Sequence, residues 1–244
     1  MMKRIYSLSV FGVFLLILVT SPGFGQSTKR ILKRMLDAGG GKKVYESIVD
    51  LTMTGSVEMA QQGIQGTLTM YKKEPDKRRV DLDTLGMVII QAYDGQTARW
   101  TNPQTGNVEE MSELDTLSLA RQSLPLVANI EPEKYGITFT YKGKERVGDR
   151  DYHVLEQSYK DGYTILRYVD AETYLTGITR STRTGPQGIE IQVEQRMSDF
   201  REVGGMILAH TVVTYYNGEV FSEITLKEVK FNTGLDDALF RIDK

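Results

Sequence analysis

The stretch Ile189-Glu190-Ile191-Gln192-Val193-Glu194-Gln195-Arg196-Met197, IEIQVEQRM, alternates with a period of two. Ile189, Ile191, Val193 and Met197 fall on one side, and Glu190, Gln192, Glu194 and Arg196 on the other. A pleated strand sends successive side chains to opposite faces, so this segment reads as a strand with one apolar and one wet face. That is the pattern of an antiparallel sheet covered on one side only.

Working outward, the same texture extends over nearly everything after Pro132: ITFTYKGKERV, DYHVLEQSY, YTILRYVD, YLTGITRSTR, MILAHTVVTYY and EVFSEITLKEVKF. Turn signals at Gly148-Asp149, Asp161-Gly162, Gly185-Pro186, Gly204-Gly205 and Asn217-Gly218 separate them. Loops this short join antiparallel neighbours, since parallel strands need long crossovers. Upstream, Val49, Leu51, Met53, Val57 and Met59 share a face opposite Asp50, Thr52, Thr54, Ser56 and Glu58. Gln61-Gln62-Gly63 turns the chain into a segment with Ile64, Leu68 and Met70 on one side, and Pro75-Asp76 and Leu85-Gly86 mark two further turns. The tight turn at Tyr93-Asp94-Gly95 and the next one at Asn102-Pro103 to Gly106 place Trp100, the single tryptophan, near the end of a short strand, with Arg99 on the opposite face. About eleven strands result, more than a flat sheet bears without curling.

Two segments break the pattern. Ser27 to Gly41 has Ile31, Leu32, Met35 and Leu36 at helical spacing and ends in three glycines. Between Ser112 and Ile130, Leu114, Leu117 and Leu124 recur at helical spacing behind a Ser112 cap, with Asp115 three residues on and Pro125 as a stop.

The N-terminus has the three parts of a secretory signal: Lys3 and Arg4, an apolar run from Val10 to Val19, and small or turn-forming residues to Gly25. The apolar run is about half of the ~20 residues a spanning helix needs. The expectation is therefore a signal peptide over 1–25 and one soluble, exported domain over 26–244, in the periplasm. With no cysteine in the chain, lipidation on a cysteine, disulfides and thiolate chemistry are excluded. Removing Lys3 and Arg4 leaves 28 basic against 32 acidic residues. The basic residues are interspersed with acidic ones, which argues against nucleic acid as a partner.

Catalytic signatures are missing. Gly39-Gly40-Gly41-Lys42 lacks the outer glycine and the Ser or Thr of a phosphate loop, and helix termination explains it. No G-x-S-x-G or H-E-x-x-H occurs, and His153 and His210 are the only histidines. Asp149, Asp151 and His153 would share one side of a strand, the best arrangement in the chain for a metal, although Gly148-Asp149 is also ordinary turn chemistry. The pairs Asp81/Asp83 and Asp236/Asp237 read as exposed polar positions. The expectation is no enzyme activity, no metal and no cofactor. Methionines on or beside the strands, Met53, Met59, Met70, Met87 and Met197, are flexible filler suited either to a core or to a surface that repacks around apolar ligands.

A succession of short motifs spans the chain: Ala38-Gly39-Gly40; Thr54-Gly55-Ser56-Val57; Lys73-Glu74-Pro75-Asp76-Lys77-Arg78-Arg79; Tyr93-Asp94-Gly95-Gln96-Thr97 with Trp100, Pro103 and Gly106; Tyr168-Val169-Asp170; and Phe231-Asn232 with Leu235-Asp236-Asp237 and Phe240. Together they resemble the periplasmic lipoprotein-carrier superfamily, the LolA/LolB-like outer-membrane lipoprotein-sorting proteins. The resemblance implies a mainly β fold with α-helices: a strongly curved antiparallel sheet forming an incomplete β-barrel, closed by short helices over an apolar cavity that holds acyl chains. It makes 112–130 the expected lid. Carriers of the family have an arginine directly before the turn proline that contacts the lid. Here that position is Glu74, with Arg78, Arg79 and Arg99 as candidate substitutes.

On this reading the protein is a non-enzymatic binder or carrier of lipid or of an acylated protein, monomeric, with transient membrane contact. Its cavity is expected to be lined by Val49, Leu51, Met53, Val57, Leu68, Met70, Met87, Ile89, Trp100, Leu114, Leu117, Ile191 and Val193. The alternative is a cell-envelope interaction module with a filled core, whose edge strands or exposed Tyr215, Tyr216 and Phe221 engage a protein partner. A third is a metal-assisted hydrolase at Asp149, Asp151 and His153.

Overall fold

The structure is a computed structural model that describes residues 24–185 and 188–243. The expected signal segment lies almost wholly outside the described residues, as does Pro186 of the expected turn. The chain opens with helices α1 (Phe24–Ala38) and α2 (Lys42–Ser47), then runs through β1 (Asp50–Met59), β2 (Ile64–Lys73), β3 (Lys77–Thr84), β4 (Met87–Tyr93), β5 (Ala98–Thr101) and β6 (Val108–Glu110). Helix α3 (Glu113–Ser123) and two short 3-10 turns, Leu126–Asn129 and Pro132–Tyr135, interrupt the strands. Then follow β7 (Ile137–Val147), β8 (Arg150–Tyr159), β9 (Thr164–Asp170), β10 (Thr176–Thr184), β11 (Glu190–Val203), β12 (Met206–Tyr216) and β13 (Glu219–Phe231), and a last 3-10 turn at Asp237–Phe240.

All thirteen strands belong to one antiparallel sheet in the order β6-β5-β4-β3-β2-β1-β13-β12-β11-β10-β9-β8-β7. The sheet is not closed. It is a curved, incomplete barrel of mainly β structure, as the alternation and the resemblance led one to expect, with thirteen strands rather than about eleven. The short strand β6, with three residues, is too brief to display a period. The topology consists of two meanders joined where β1 pairs with β13, Leu51 opposite Phe231 and Met53 opposite Val229. The two free edges, β6 and β7, are consecutive in sequence, so the helical segment between them must span the opening.

Directly opposed residues of an antiparallel pair project from the same face, which lets the register trace one inner face across the molecule. It runs from Trp100 to Gln91, Val80, Met70 and Met53, and on the other side of the seam from Ser222 to Thr214, Gln195, Thr179 and Arg167. The helices lie on this face. Ile31 of α1 is buried with Leu155 and Val169, packed about by Leu32, Met35, Phe139 and Tyr141. Near the seam, Ile48, Leu51 and Met206 form a second cluster with Tyr45, Met53, Leu126 and Phe231.

The outer face is held differently. Arg79 Nη1 donates to the Leu239 carbonyl at 2.9 Å and Arg99 Nη1 to that of Ile242 at 3.1 Å, clamping the C-terminal tail against β3 and β5. Phe240 on that tail is fully buried. Asp50 fastens the seam: its carboxylate accepts from the backbone N–H groups of Thr233 at 2.7 Å, Gly234 at 2.9 Å and Leu235 at 3.3 Å, and from the Thr233 hydroxyl at 3.0 Å. Burial works to raise its pKa, but these bonds outweigh it and hold the carboxyl below its ordinary value.

Candidate functional site

Between α3 with its following turn and the inner face of β8–β13 lies a cavity of about 900 Å³. Leu114, Leu117, Leu124 and Leu126 form its roof, and Ile137, Ile165 and Val193 contribute apolar wall. Tyr216 and Phe221 add aromatic wall, and a row of polar side chains crosses the floor. Arg167, Thr179, Gln195, Thr214 and Ser222 stand directly opposite one another on five successive strands, β9 to β13. All five line the cavity, with Gln157 and Tyr159 beside Arg167.

Of the residues expected to line the cavity, Leu114, Leu117 and Val193 do so. Leu51, Met53, Val57, Leu68, Met70, Met87, Ile89 and Trp100 share the inner face with cavity residue Lys72, being in register with it or two-residue steps away, but lie over β1–β5 beyond the hollow. Ile191 is on the inner face by alternation with Val193, outside the lining. Val49 precedes β1, is 57% exposed, and offers its backbone N–H to Asn232 Oδ1 at 2.8 Å. Leu51, Val57 and Leu68 are instead buried by packing. Tyr216 and Phe221 stack at 4.1 Å on the cavity wall, and Tyr215 lies under Arg196 at 5.0 Å.

The polar row was not anticipated, yet each strand carries a trace of it. In the stretch quoted first, Gln195 sits between Val193 and Met197 on the apolar side. Arg167 likewise interrupts Ile165 and Val169, and Thr214 interrupts Val212 and Tyr216. One misplaced polar residue per strand looks incidental until the register aligns them.

The C-terminal end of α3 and the turn after it are held by two charged residues of the segment around the Pro75 turn. Lys72 Nζ donates to the carbonyls of Ser123, at 2.9 Å, and Leu124, satisfying acceptors left open where α3 ends. Burial pushes the Lys72 pKa down to about 8, opposed by Glu74 and Asp76 and reinforced by Arg78. Glu74 Oε1 accepts from the Leu126 N–H at 3.0 Å, and burial raises its pKa. At the other end of α3, the Ser112 hydroxyl accepts from Asp115 N–H at 3.2 Å, the expected cap. Arg121 pairs with Asp161 and packs over the Tyr163 ring at 4.2 Å, tying α3 to the β8–β9 turn.

The would-be metal triad is not assembled. Among the described residues no group of three or more potential ligands gathers. His153 Nδ1 lies 3.2 Å from the Tyr141 hydroxyl and its ring stacks on Tyr174 at 5.8 Å, while Asp151 lies 3.6 Å from Arg146. Burial, with Lys144 and Arg30, lowers the histidine pKa.

No family model matches the chain, and no curated protein matches it in sequence. Solved structures do match in shape. A domain from Vibrio parahaemolyticus assigned to the outer membrane lipoprotein-sorting proteins superposes with a TM-score of 0.58 at 15% identity, over 86% of this chain and 94% of that one. A LolA superfamily protein from Nitrosomonas europaea gives 0.59 at 14% identity, over 85% and 96%. The fold is LolA-like. A DUF1329 family protein from Desulfovibrio piger shares it, with a TM-score of 0.60 at 14% identity over 87% and 96%.

Within this LolA-like frame the residue before the turn proline does reach the turn after α3, with the opposite charge to the expected arginine. Glu74 holds the backbone of Leu126. Of the three candidate substitutes, Arg79 and Arg99 serve the outer tail. Arg78 is on the inner face opposite Lys72, half-buried, its buried Nε without a hydrogen-bond partner and its Nη2 3.9 Å from Met70 Sδ.

Proposed function

We propose that this protein is a non-enzymatic, exported binder or carrier that shelters the acyl portion of a lipid or acylated protein in the cavity beneath α3. The observation that carries the reading is the 900 Å³ hollow between the lid and the inner face, near the upper end of the ~300–1,000 Å³ typical of small-molecule pockets. A filled core, which the interaction-module alternative requires, has no such space. Segment 112–130 acts as the lid, released when Lys72 and Glu74 let go of it. Removal of the signal over 1–25 delivers a monomeric domain to the periplasm, and among the described residues no helix is long and apolar enough to cross a membrane. Leu85, 92% exposed at the β3–β4 turn beside exposed Met87 and Val88, supplies an apolar tip for transient membrane contact.

The test is mass spectrometry of lipids extracted from protein purified under native conditions, against protein in which Val193→Trp has filled the cavity. Stoichiometric acyl-chain recovery from the native protein, lost in the variant, is expected. Failure to recover or reload any lipid would remove the proposal.

A further inference from the structure

A cavity meant only for hydrocarbon has no use for a row of polar side chains across its floor, because buried polar groups lose water and must be bonded to recover the cost. Here the row bonds itself poorly. Thr179 Oγ1 reaches Gln195 Oε1 at 3.4 Å and Gln195 Nε2 reaches Thr214 Oγ1 at 3.5 Å, both at the limit of a hydrogen bond. Donor and acceptor capacity is left facing the hollow.

At the end of the row is a guanidinium. Arg167 Nε donates to Gln157 Oε1, which is fixed in turn by Gln157 Nε2 donating to the Tyr159 hydroxyl at 2.7 Å, and Tyr159 also bonds the guanidinium. Among the described residues no acid pairs with Arg167. The other cations of the lining are occupied or outside: Arg121 is paired with Asp161, Lys72 holds the lid carbonyls, and Arg183 is exposed, donating to the Tyr216 hydroxyl at 3.0 Å. Arg167 is half-buried; a charge partly withdrawn from water without a counter-ion carries a cost, and an arginine held by one edge presents its remaining N–H groups as a fork that fits an oxyanion. Burial works against its charged form, and a bound anion would offset that.

We propose that Arg167 anchors the acidic headgroup, carboxylate or phosphate monoester, of a single-chain amphiphile, with Gln195 and Thr214 bonding the headgroup's polar neighbour atoms and the chain running beneath Leu114 and Leu117. This rests on the reading of the cavity as an amphiphile site and names the class of amphiphile. It makes the hollow a two-zone pocket, polar over β9–β13 and apolar under the lid.

Calorimetric titration of the delipidated protein tests it with four probes below their micellar concentrations: dodecanoate, dodecyl phosphate, dodecanol and inorganic phosphate. Both acidic C12 probes are expected to bind about ten- to a hundredfold tighter than dodecanol, the range of a charge-assisted pair. Arg167→Gln should bring them to the level of dodecanol while leaving dodecanol unchanged. Equal affinities of acids and alcohol for the native protein, a comparison that needs no variant to fold, would overturn the headgroup anchor and leave the acyl-binding reading standing. Binding of no C12 probe would overturn both. Inorganic phosphate binding as tightly as dodecyl phosphate would make the site one for a free oxyanion and overturn the amphiphile.

Discussion

Lys72 Nζ lies 2.9 Å from the Ser123 carbonyl, so β2, the neighbour of the seam strand, holds the C-terminal end of the helix that roofs the cavity. The ammonium does this at a cost, since burial brings its pKa down to about 8.

Lys72→Met removes the latch and a buried charge together. Hydrogen exchange across 113–126 should accelerate about ten- to a hundredfold, the equivalent of one charged hydrogen bond, while global unfolding free energy changes by less than about 1 kcal/mol. The sign with pH is fixed by linkage. Between pH about 8 and the ordinary lysine value the unfolded chain keeps a proton that the folded one has lost, so native stability rises relative to Lys72→Met across that window. Denaturant titrations at pH 7 and pH 10 check this, and an unfolding free energy of the native protein minus that of Lys72→Met that fell or stayed level between the two would contradict the burial of Lys72.

Asp50→Ala leaves three backbone N–H groups at the seam without their acceptor. The loss should be on the order of 3 kcal/mol near pH 7 by urea unfolding. Because the folded pKa is depressed, the wild-type advantage is complete above the unfolded value of ~3.9 and declines as pH falls through the folded value. The two proteins should therefore converge in acid.

Gly55 sits at the bulge where β1 slips register against β13, and a Cβ there would come 2.3 Å from the Thr225 carbonyl oxygen. Gly55→Ala must push two strands apart, at about 1–3 kcal/mol measured by thermal unfolding. Gly63→Ala offers a useful contrast, since nothing crowds that position and its positive φ of 62° is the sole penalty.

Val193→Trp should fill the polar–apolar junction of the cavity and abolish uptake of a fluorescent fatty acid with little change in melting temperature. A variant that still bound ligand at full stoichiometry would place the binding site elsewhere.

Much of the architecture was legible because one-sided strands announce themselves: Ile191, Val193 and Met197 against Gln192, Glu194 and Arg196 state which face is covered. Helix α3 was readable from Ser112 and the leucines after it. What alternation does not carry is register. Whether Gln195 is an accident or part of a site depends on its standing opposite Thr179 and Thr214, a relation between strands whose partners are set by turns and bulges. For the same reason the apolar face could be identified in β1 and β2 residue by residue, but not the fact that Leu51, Met53 and Leu68 would be covered by packing and the hollow would open over β8–β13. The latch of Glu74 was hidden in another way. A carboxylate where an arginine was expected reads as a lost contact, until the backbone N–H of Leu126 appears as its partner.

The pairing of β1 with β13 has a kinetic corollary. Val49 and Asn232, bonded across that seam, are 183 residues apart in sequence. Bringing such distant segments together is slow, and each meander alone ends in an unpaired strand, so the molecule cannot seal its centre until its last strand has emerged.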